Sequence, residues 1–264
     1  MKINLTHQSL IKVSGSDAEN FINSQFSNNI KQLQENDLQL NAYCQHQGKI
    51  ISLLWVVRAE NYFFLSLNSE LLDTVISRLQ MYKMISQVVI EDVSEIYQQI
   101  GLIDEKHSRS YRLSDRLQIE LGEHNSSYSN DLNLWKANLI RENIPDISLI
   151  NSEKFVPQML NLDIEEIGVS FTKGCYPGQE VVARLHYLGT PKRRMHQFFT
   201  HHSIQEGDAI YSNASQSLKP CGRIIQIAQD RDVYIFLAVI ETEHLDGQLS
   251  LSSEDYIAVS KLQN

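Results

Sequence analysis

Cysteine, glycine, proline and long apolar runs are all scarce in this chain of 264 residues, and each scarcity excludes a class of protein. Three widely spaced cysteines exclude a disulfide framework and a paired zinc-binding motif, and they favour a reducing compartment. Eleven glycines and five prolines exclude collagen-like and low-complexity chains. The longest apolar run, Ile50–Val57, is too short to cross a bilayer. Because the N-terminus also lacks an apolar signal segment, we expect a cytoplasmic protein that has no membrane partner.

Basic residues are outnumbered as well, with 23 lysines and arginines against 32 acidic residues and a net charge of -9. This balance excludes a protein whose whole surface binds nucleic acid, because phosphates must be neutralised by an excess of cations. The nine histidines form no metal-binding spacing, and we expect no metal site. One local stretch is nevertheless positive, and it contains Lys173, Arg184, Lys192, Arg193 and Arg194 against Glu180. It is either a surface for phosphates or carboxylates or a solvated linker.

Hydrophobic periodicity predicts a mixed α+β chain. Strands are expected at 9–13, 38–44, 49–57, 62–67, 87–91, 96–103 and 117–121, and helices at 16–30, from residue 69 onward, at 131–143 and at 178–187. Ser16 and Glu19 have the spacing of a capping box, and Ser69 is the expected N-cap of the second helix. The polar segment 104–115 is expected to be an exposed connection.

The pattern changes after Arg194, where short strand-like runs alternate with turns and no helical period is present. We therefore predict a region 1–194, which could contain two intertwined subdomains, and a small β-barrel domain at 195–264.

The stretch around Cys175 carries the strongest chemical signal in the chain. Gly174, Pro177 and Gly178 force a tight backbone path, and a helix is predicted to begin just after it. A helix N-terminus and the neighbouring Lys173 would favour a thiolate. Such a thiolate could be a nucleophile, a redox switch or a metal or cluster ligand, whereas the alternative is a packed core cysteine. Cys44 and Cys221 lie in apolar strands and are expected to be core residues. These three cysteines are the complete set.

The sequence Lys173-Gly174-Cys175-Tyr176-Pro177-Gly178-Gln179-Glu180 resembles the K-G-C-Y-x-G-Q-E signature of the YgfZ family. That family is related to the aminomethyltransferase of the glycine cleavage system (GcvT). Further similarity lies at Val13–Ala18, Gln47–Ile50, Phe155–Gln158 and Asn161–Asp163, so that the resemblance spans about 10–103 and 134–194.

The resemblance implies a GcvT/YgfZ-like fold, with folate-binding sheet-and-helix domains around a central channel and a C-terminal small β-barrel. It also implies tetrahydrofolate or a derivative as a non-covalent cofactor, and a role in tRNA modification and iron–sulfur cluster assembly or repair. Cys175 would be the reactive thiol. The folate-binding residues implied are Trp135, whose indole could stack on the pterin, and the motif residues Lys173, Gly174, Tyr176, Gly178, Gln179 and Glu180, together with Arg184.

Three departures from the relatives bear on activity. The turn of the aminomethyltransferases continues into a catalytic aspartate, whereas this chain has Ser52 and Leu53 there. Arg141 stands where many relatives have a pterin-binding glutamate, and Gln8 stands where a second tryptophan is expected. The loss of the acidic group favours an accessory protein over a classical enzyme.

Two alternatives remain open beside the folate-dependent accessory role. One is a folate-dependent one-carbon transferase, of the aminomethyl type, that uses Glu142, Glu180 or Asp163 as its acid. The other is a module that makes weak contact with tRNA through Lys192–Arg194. The expected partners are folate and the iron–sulfur enzymes or their assembly factors.

Overall fold

The computed structural model describes residues 1–122, 128–213 and 219–262. Its strands are β1 (Lys2–Asn4), β2 (Gln8–Ser14), β3 (Leu38–Cys44), β4 (Ile50–Arg58), β5 (Tyr62–Asn68), β6 (Val89–Asp92), β7 (Gln98–Ile103), β8 (Ser110–Arg112), β9 (Leu117–Gly122), β10 (Arg193–Thr200), β11 (Ala209–Ser212), β12 (Gly222–Asp230), β13 (Val233–Glu241), β14 (Leu249–Ser250) and β15 (Ala258–Lys261). Its α-helices are α1 (Ala18–Gln25), α2 (Leu72–Lys83), α3 (Leu132–Arg141) and α4 (Gln179–Leu188). Within the described ranges, no helix combines the length and apolar composition needed to cross a membrane.

A five-stranded antiparallel sheet in the order β3-β4-β5-β2-β6 forms the first half of the molecule. Strand β4 is buried along nearly its whole length, which explains why its sequence is almost entirely apolar, with Ser52 as the interruption, rather than alternating. Ala59 closes the predicted hairpin by donating its backbone N–H to the Tyr62 carbonyl at 2.9 Å. Helices α1 and α2 contribute Phe21, Ile22 and Val75 to the same apolar core.

A smaller antiparallel sheet in the order β1-β7-β9-β8 lies beside α3. Trp135 of α3 packs on this sheet with Ile3 and Ile119, and Gly101 leaves the room that the indole fills. The other face of α3 joins the barrel, where Arg141 pairs with Asp230 at 2.5 Å. This helix therefore connects the smaller sheet to the barrel.

The last strands close into a barrel in the order β10-β13-β12-β11-β14-β15, with β15 pairing back onto β10. This closure confirms the expected C-terminal β-barrel, although the sequence pattern did not predict β15. Phe198 and Phe236 stack inside it at 5.7 Å between ring centroids. Met195 and Ile225 belong to the same apolar core as the five-stranded sheet. The two predicted regions, 1–194 and 195–264, thus share one apolar core. The domain boundary between residues 194 and 195 remains a prediction.

The first predicted helix is shorter than its apolar spacing suggested. Helix α1 ends at Gln25, because Phe26 adopts an extended conformation and forms a β-bridge with Tyr43. The predicted capping box was wrong as well. Asp17 occupies the N-cap without a side-chain cap, and Glu19 instead forms an ion pair with Arg58 at 2.7 Å.

Two other local predictions need correction. The side chain of Asn68, rather than that of Ser69, caps the turn before α2 by accepting a hydrogen bond from the Glu70 amide at 3.1 Å. Ser69 instead forms a hydrogen bond with Ser9 at 2.9 Å. The segment 104–115 is not only an exposed connection, since it contains β8, which extends the smaller sheet at its edge.

Candidate functional site

Cys175 is the exposed cysteine of the chain, whereas Cys44 and Cys221 are buried, as expected for core residues. It lies in an irregular segment that ends at Gly178, immediately before α4 begins at Gln179. Gly178 has φ 82°, a left-handed conformation that favours glycine. The thiol therefore lies on a surface loop, and the helix predicted to begin just after the motif is confirmed.

The loop is held against the turn between β3 and β4. A Cβ atom on Gly178 would lie 2.5 Å from the Gln45 carbonyl oxygen and 2.6 Å from Gly48 Cα, so only glycine allows this approach. Gly48 is also left-handed, with φ 77°. The two family-like segments, Gln47–Ile50 and Lys173–Glu180, are thus in contact with each other.

Lys173 does not lie beside the thiol as a free cation. Its ammonium group is buried and donates hydrogen bonds to the carbonyl oxygens of Phe26 at 2.6 Å and Asn28 at 2.9 Å, and to that of Asn23. Burial lowers the pKa of Lys173 to about 7, while these acceptors stabilise its charged form. With three donor hydrogens used, Lys173 fastens the loop to the end of α1 rather than donating to Cys175.

Tyr176 anchors the other side of the cysteine loop. Its side chain is buried, and the Lys173 ammonium lies 5.3 Å from its ring centroid. Burial, with a smaller effect of nearby Cys44, raises the pKa of Tyr176, and burial raises the pKa of Cys44 to about 12. Both groups are therefore neutral at physiological pH, which makes Tyr176 a packing residue of the loop.

The remaining motif residues lie at the surface. Gly174 and Glu180 are exposed, and Gln179 is half-buried in the first turn of α4. A Cβ atom on Gly174 would meet no heavy atom within 4 Å. Arg184 is exposed further along α4. These residues surround an accessible face next to Cys175, and their predicted folate contacts remain predictions.

Two members of the predicted positive cluster are neutralised by ion pairs. Arg194 makes two hydrogen bonds to Asp163, at 2.5 and 2.9 Å, and Arg193 is paired with Glu241. Lys192 is exposed beside them. Asp163 is therefore not a free acid, which removes one of the three carboxylates considered for transferase chemistry.

A small polar cavity of about 140 Å³ lies where the end of β5, α3 and the barrel meet. Lys136 of α3 lies 3.7 Å from Glu206, which also accepts a hydrogen bond from Ser148 at 2.5 Å. Burial raises the pKa of Glu206, and burial likewise raises the pKa of Asp146 on the opposite wall. The cavity thus holds buried carboxylates that lack full compensation by cations.

Unpartnered nitrogen atoms also line this cavity. Both ring nitrogens of His7 and Nε2 of Gln226 are buried without a hydrogen-bond partner among the described residues. Burial, with a smaller contribution from Lys136, lowers the pKa of His7 to about 4, so that the imidazole is neutral. Buried polar atoms of this kind usually have a partner, and here they mark a place for a polar ligand or for water.

The expected departures have clear structural consequences. Ser52 and Leu53 are both buried in β4, and Leu53 belongs to the apolar core, so neither position presents a carboxylate to a substrate. Arg141 is bound to the barrel through Asp230. Gln8 donates to Asp146 at 3.1 Å on the cavity wall.

Trp135 is only 2% exposed, and the adjoining space is about 20 Å³. A pterin could stack on this indole only if neighbouring side chains moved, and the role of Trp135 in folate binding remains a prediction.

No family model matches the chain. An uncharacterized protein from Haemophilus influenzae is 31% identical over 257 residues, which cover 93% of this chain and 90% of that protein. The tRNA-modifying protein YgfZ of Yersinia pestis (strain Pestoides F) is 30% identical over 230 residues, 74% of this chain and 69% of that protein. The chain belongs to the YgfZ family.

Other YgfZ proteins are also similar, including that of Cronobacter sakazakii, which is 26% identical over 287 residues and covers 92% of this chain. The aminomethyltransferase T of the glycine cleavage system from Bartonella henselae has the same fold, with a TM-score of 0.68 over 99% of this chain and 84% of that protein. Its identity of 11% supports the fold alone. The expected relation between YgfZ and the aminomethyltransferases is thereby confirmed for the fold.

Proposed function

We propose that this YgfZ-family chain is a folate-binding accessory protein that supports tRNA modification and the assembly or repair of iron–sulfur enzymes. The exposed Cys175, fixed on a loop that two glycines and Lys173 hold in place, is the observation that carries the proposal. A rigidly presented thiol can meet a partner protein with little loss of conformational entropy. The relatives named as tRNA-modifying proteins support the choice of pathway.

Folate fits the polar cavity better than the surface of Trp135. The pterin ring carries a row of hydrogen-bond donors and acceptors, which matches the unpartnered nitrogens of His7 and Gln226 and the buried carboxylates of Asp146 and Glu206. A volume of about 140 Å³ suits one polar edge of the ring rather than a whole folate. Folate, when bound, would supply a carrier for one-carbon units, and these side chains would orient it.

The thiol is tested by complementation of a bacterium that lacks its own YgfZ protein. Cys175→Ser should fail to restore the tRNA modifications made by iron–sulfur enzymes, as measured by mass spectrometry of tRNA nucleosides. Cys221→Ala is the matched control, because Cys221 is buried in the barrel. Full restoration by Cys175→Ser would contradict the proposed role of the thiol.

The cofactor is tested by calorimetry with tetrahydrofolate. The wild-type protein should bind, and Gln226→Leu should weaken binding, since it removes a buried amide from the cavity wall. If the folded wild-type protein gives no heat of binding at any temperature tried, folate is not its cofactor. The role of the thiol would then still be tested by complementation.

The one-carbon transferase is less well supported. Asp163 is bound by Arg194, and Glu142 lies 3.7 Å from Arg116, so two of its three candidate acids are engaged in ion pairs. Glu180 is exposed on α4, where solvent weakens its influence on a reacting group.

A further inference from the structure

A second cleft, of about 220 Å³, lies between the barrel and the segment that follows Asn151. Three cations line it, namely Lys154, Arg193 and Arg223. Apolar side chains form the rest of the wall, among them Met159, Pro220 and Val239. Cations around an apolar floor suit a ligand with both a phosphate and a flat or sugar-like portion.

The positive charge of this cleft is only partly neutralised. Arg223 donates Nε to Asn151 Oδ1 at 2.9 Å and Nη2 to the Ile150 carbonyl at 3.1 Å, and both acceptors are neutral. Among the described residues, no carboxylate oxygen lies within 4 Å of the charged nitrogens of Lys154 or Arg223. Arg193 is the paired member, through Glu241.

The cleft is connected to the cysteine loop through the β3–β4 turn. Ile50 donates its amide to the Phe155 carbonyl at 2.8 Å, next to Lys154. Two residues earlier, Gly48 contacts Gly178. Chain geometry limits the path from the cleft to Cys175 to about 25 Å. Lys49 lies on this path and is exposed, and Lys192 is exposed next to Arg193 of the cleft. The acidic residues Glu153 and Asp208 adjoin the lining residues Lys154 and Ala209, and Glu241 is paired with Arg193.

We propose that this cleft binds the phosphodiester backbone of an RNA and directs it toward Cys175. The inference rests on the proposed function, because it assigns a place on the protein to the tRNA partner. A track of separated cations fits a polymer of phosphates, whereas a single free phosphate is usually held by convergent donors in a closed pocket. Contacts to phosphates need only local cations, so an RNA could bind at the cleft although the protein as a whole is acidic.

The test measures binding of unmodified tRNA to the full chain by fluorescence anisotropy over a range of salt concentrations. Lys154→Gln and Arg223→Gln should each weaken binding roughly tenfold at low salt and reduce the slope of log affinity against log salt by about 1. Lys106→Gln is the matched control, because Lys106 is an exposed cation on the connection between β7 and β8 and does not line the cleft. It should leave the slope unchanged. Circular dichroism establishes that each variant is folded.

Equal effects of Lys106→Gln and Lys154→Gln would overturn the proposal, since net charge alone would then account for binding. Wild-type affinity in both cleft variants would also overturn it. Inorganic phosphate and adenosine monophosphate are titrated in parallel, and saturation by either without tRNA binding would assign the cleft to a small phosphate ligand instead. The proposed function is tested separately, by complementation with Cys175→Ser. A negative result for RNA binding at the cleft would therefore leave that test valid, because the cleft variants retain Cys175.

Discussion

Gly48 and Gly178 meet backbone to backbone, although they belong to different motifs and different elements. A Cβ atom on Gly178 would lie 2.6 Å from Gly48 Cα and 2.7 Å from its nitrogen. Both residues have positive φ angles. The contact seats the cysteine loop on the β3–β4 turn, and the position of the thiol therefore depends on a hairpin that lies far away in the sequence.

Replacement of Gly178 by alanine should destabilise the protein strongly, because the new methyl group meets backbone atoms that cannot move aside. We expect a loss of about 2–4 kcal/mol in the free energy of unfolding, measured by urea denaturation. Gly174→Ala is the control in the same loop, since its Cβ meets open space, and it should change stability by less than about 0.5 kcal/mol. Equal losses in the two variants would contradict the packing argument.

Replacement of Lys173 by methionine should loosen the cysteine loop while keeping the buried stem. Three carbonyl oxygens at the end of α1 would lose their donor, and we expect a loss of about 1–3 kcal/mol in stability. Amide hydrogen exchange should accelerate in residues 171–177 and 27–29, as measured by mass spectrometry. Unchanged exchange in both segments would show that the ammonium does not hold them together.

The sequence was most informative where the chemistry is local. The glycines, the proline and the start of α4 lie within a few residues of Cys175, so their spacing predicted a cysteine just before a helix. Whether that cysteine was exposed or packed in the core stayed open until the structure showed it exposed. Strand β4 was equally predictable, because burial on both faces leaves a nearly continuous apolar run. The family motif then correctly implied the fold, including the closed barrel.

The sequence could not predict contacts that depend on distant elements. Lys173 is two residues from Cys175, but its direction is set by carbonyl groups at the end of α1. The polar cavity draws His7, Lys136, Asp146, Glu206 and Gln226 from separate elements, and no spacing in the chain links them. His7 and Lys136 each stand alone in the sequence, so nothing there indicates that the two line one cavity.

The rate of alkylation should differ strongly between Cys175 and the two buried cysteines. Cys175 is exposed, whereas burial raises the pKa of Cys44 to about 12 and that of Cys221 to about 11. In the folded protein at pH 7.5, iodoacetamide should therefore add one label, at Cys175, at least about 100-fold faster than the others. Peptide mass spectrometry locates the label. Cys175→Ser should remain unlabelled until the protein unfolds, and rapid labelling of Cys44 or Cys221 in that variant would contradict the assigned burial.

His7 should make the protein sensitive to mild acid. Burial lowers its pKa to about 4 in the folded state, compared with 6.5 when it is exposed, so the unfolded chain binds more protons between these values. The free energy of unfolding should therefore fall as the pH falls from 6.5 to 4, by about 1.4 kcal/mol at pH 5.5 and by up to about 3 kcal/mol at pH 4.

His7→Gln carries no ionisable group and should lack this part of the pH dependence, although Asp146, Glu206, Glu70 and Lys136 still line the cavity in both proteins. Urea denaturation of the wild-type protein and of His7→Gln at pH 7.0, 5.5 and 4.5 measures the difference directly. The wild-type protein should lose stability faster than the variant on acidification. Parallel curves would mean that the imidazole gains a proton in the folded state as readily as in the unfolded one, and hence that water or a ligand supplies its missing partners.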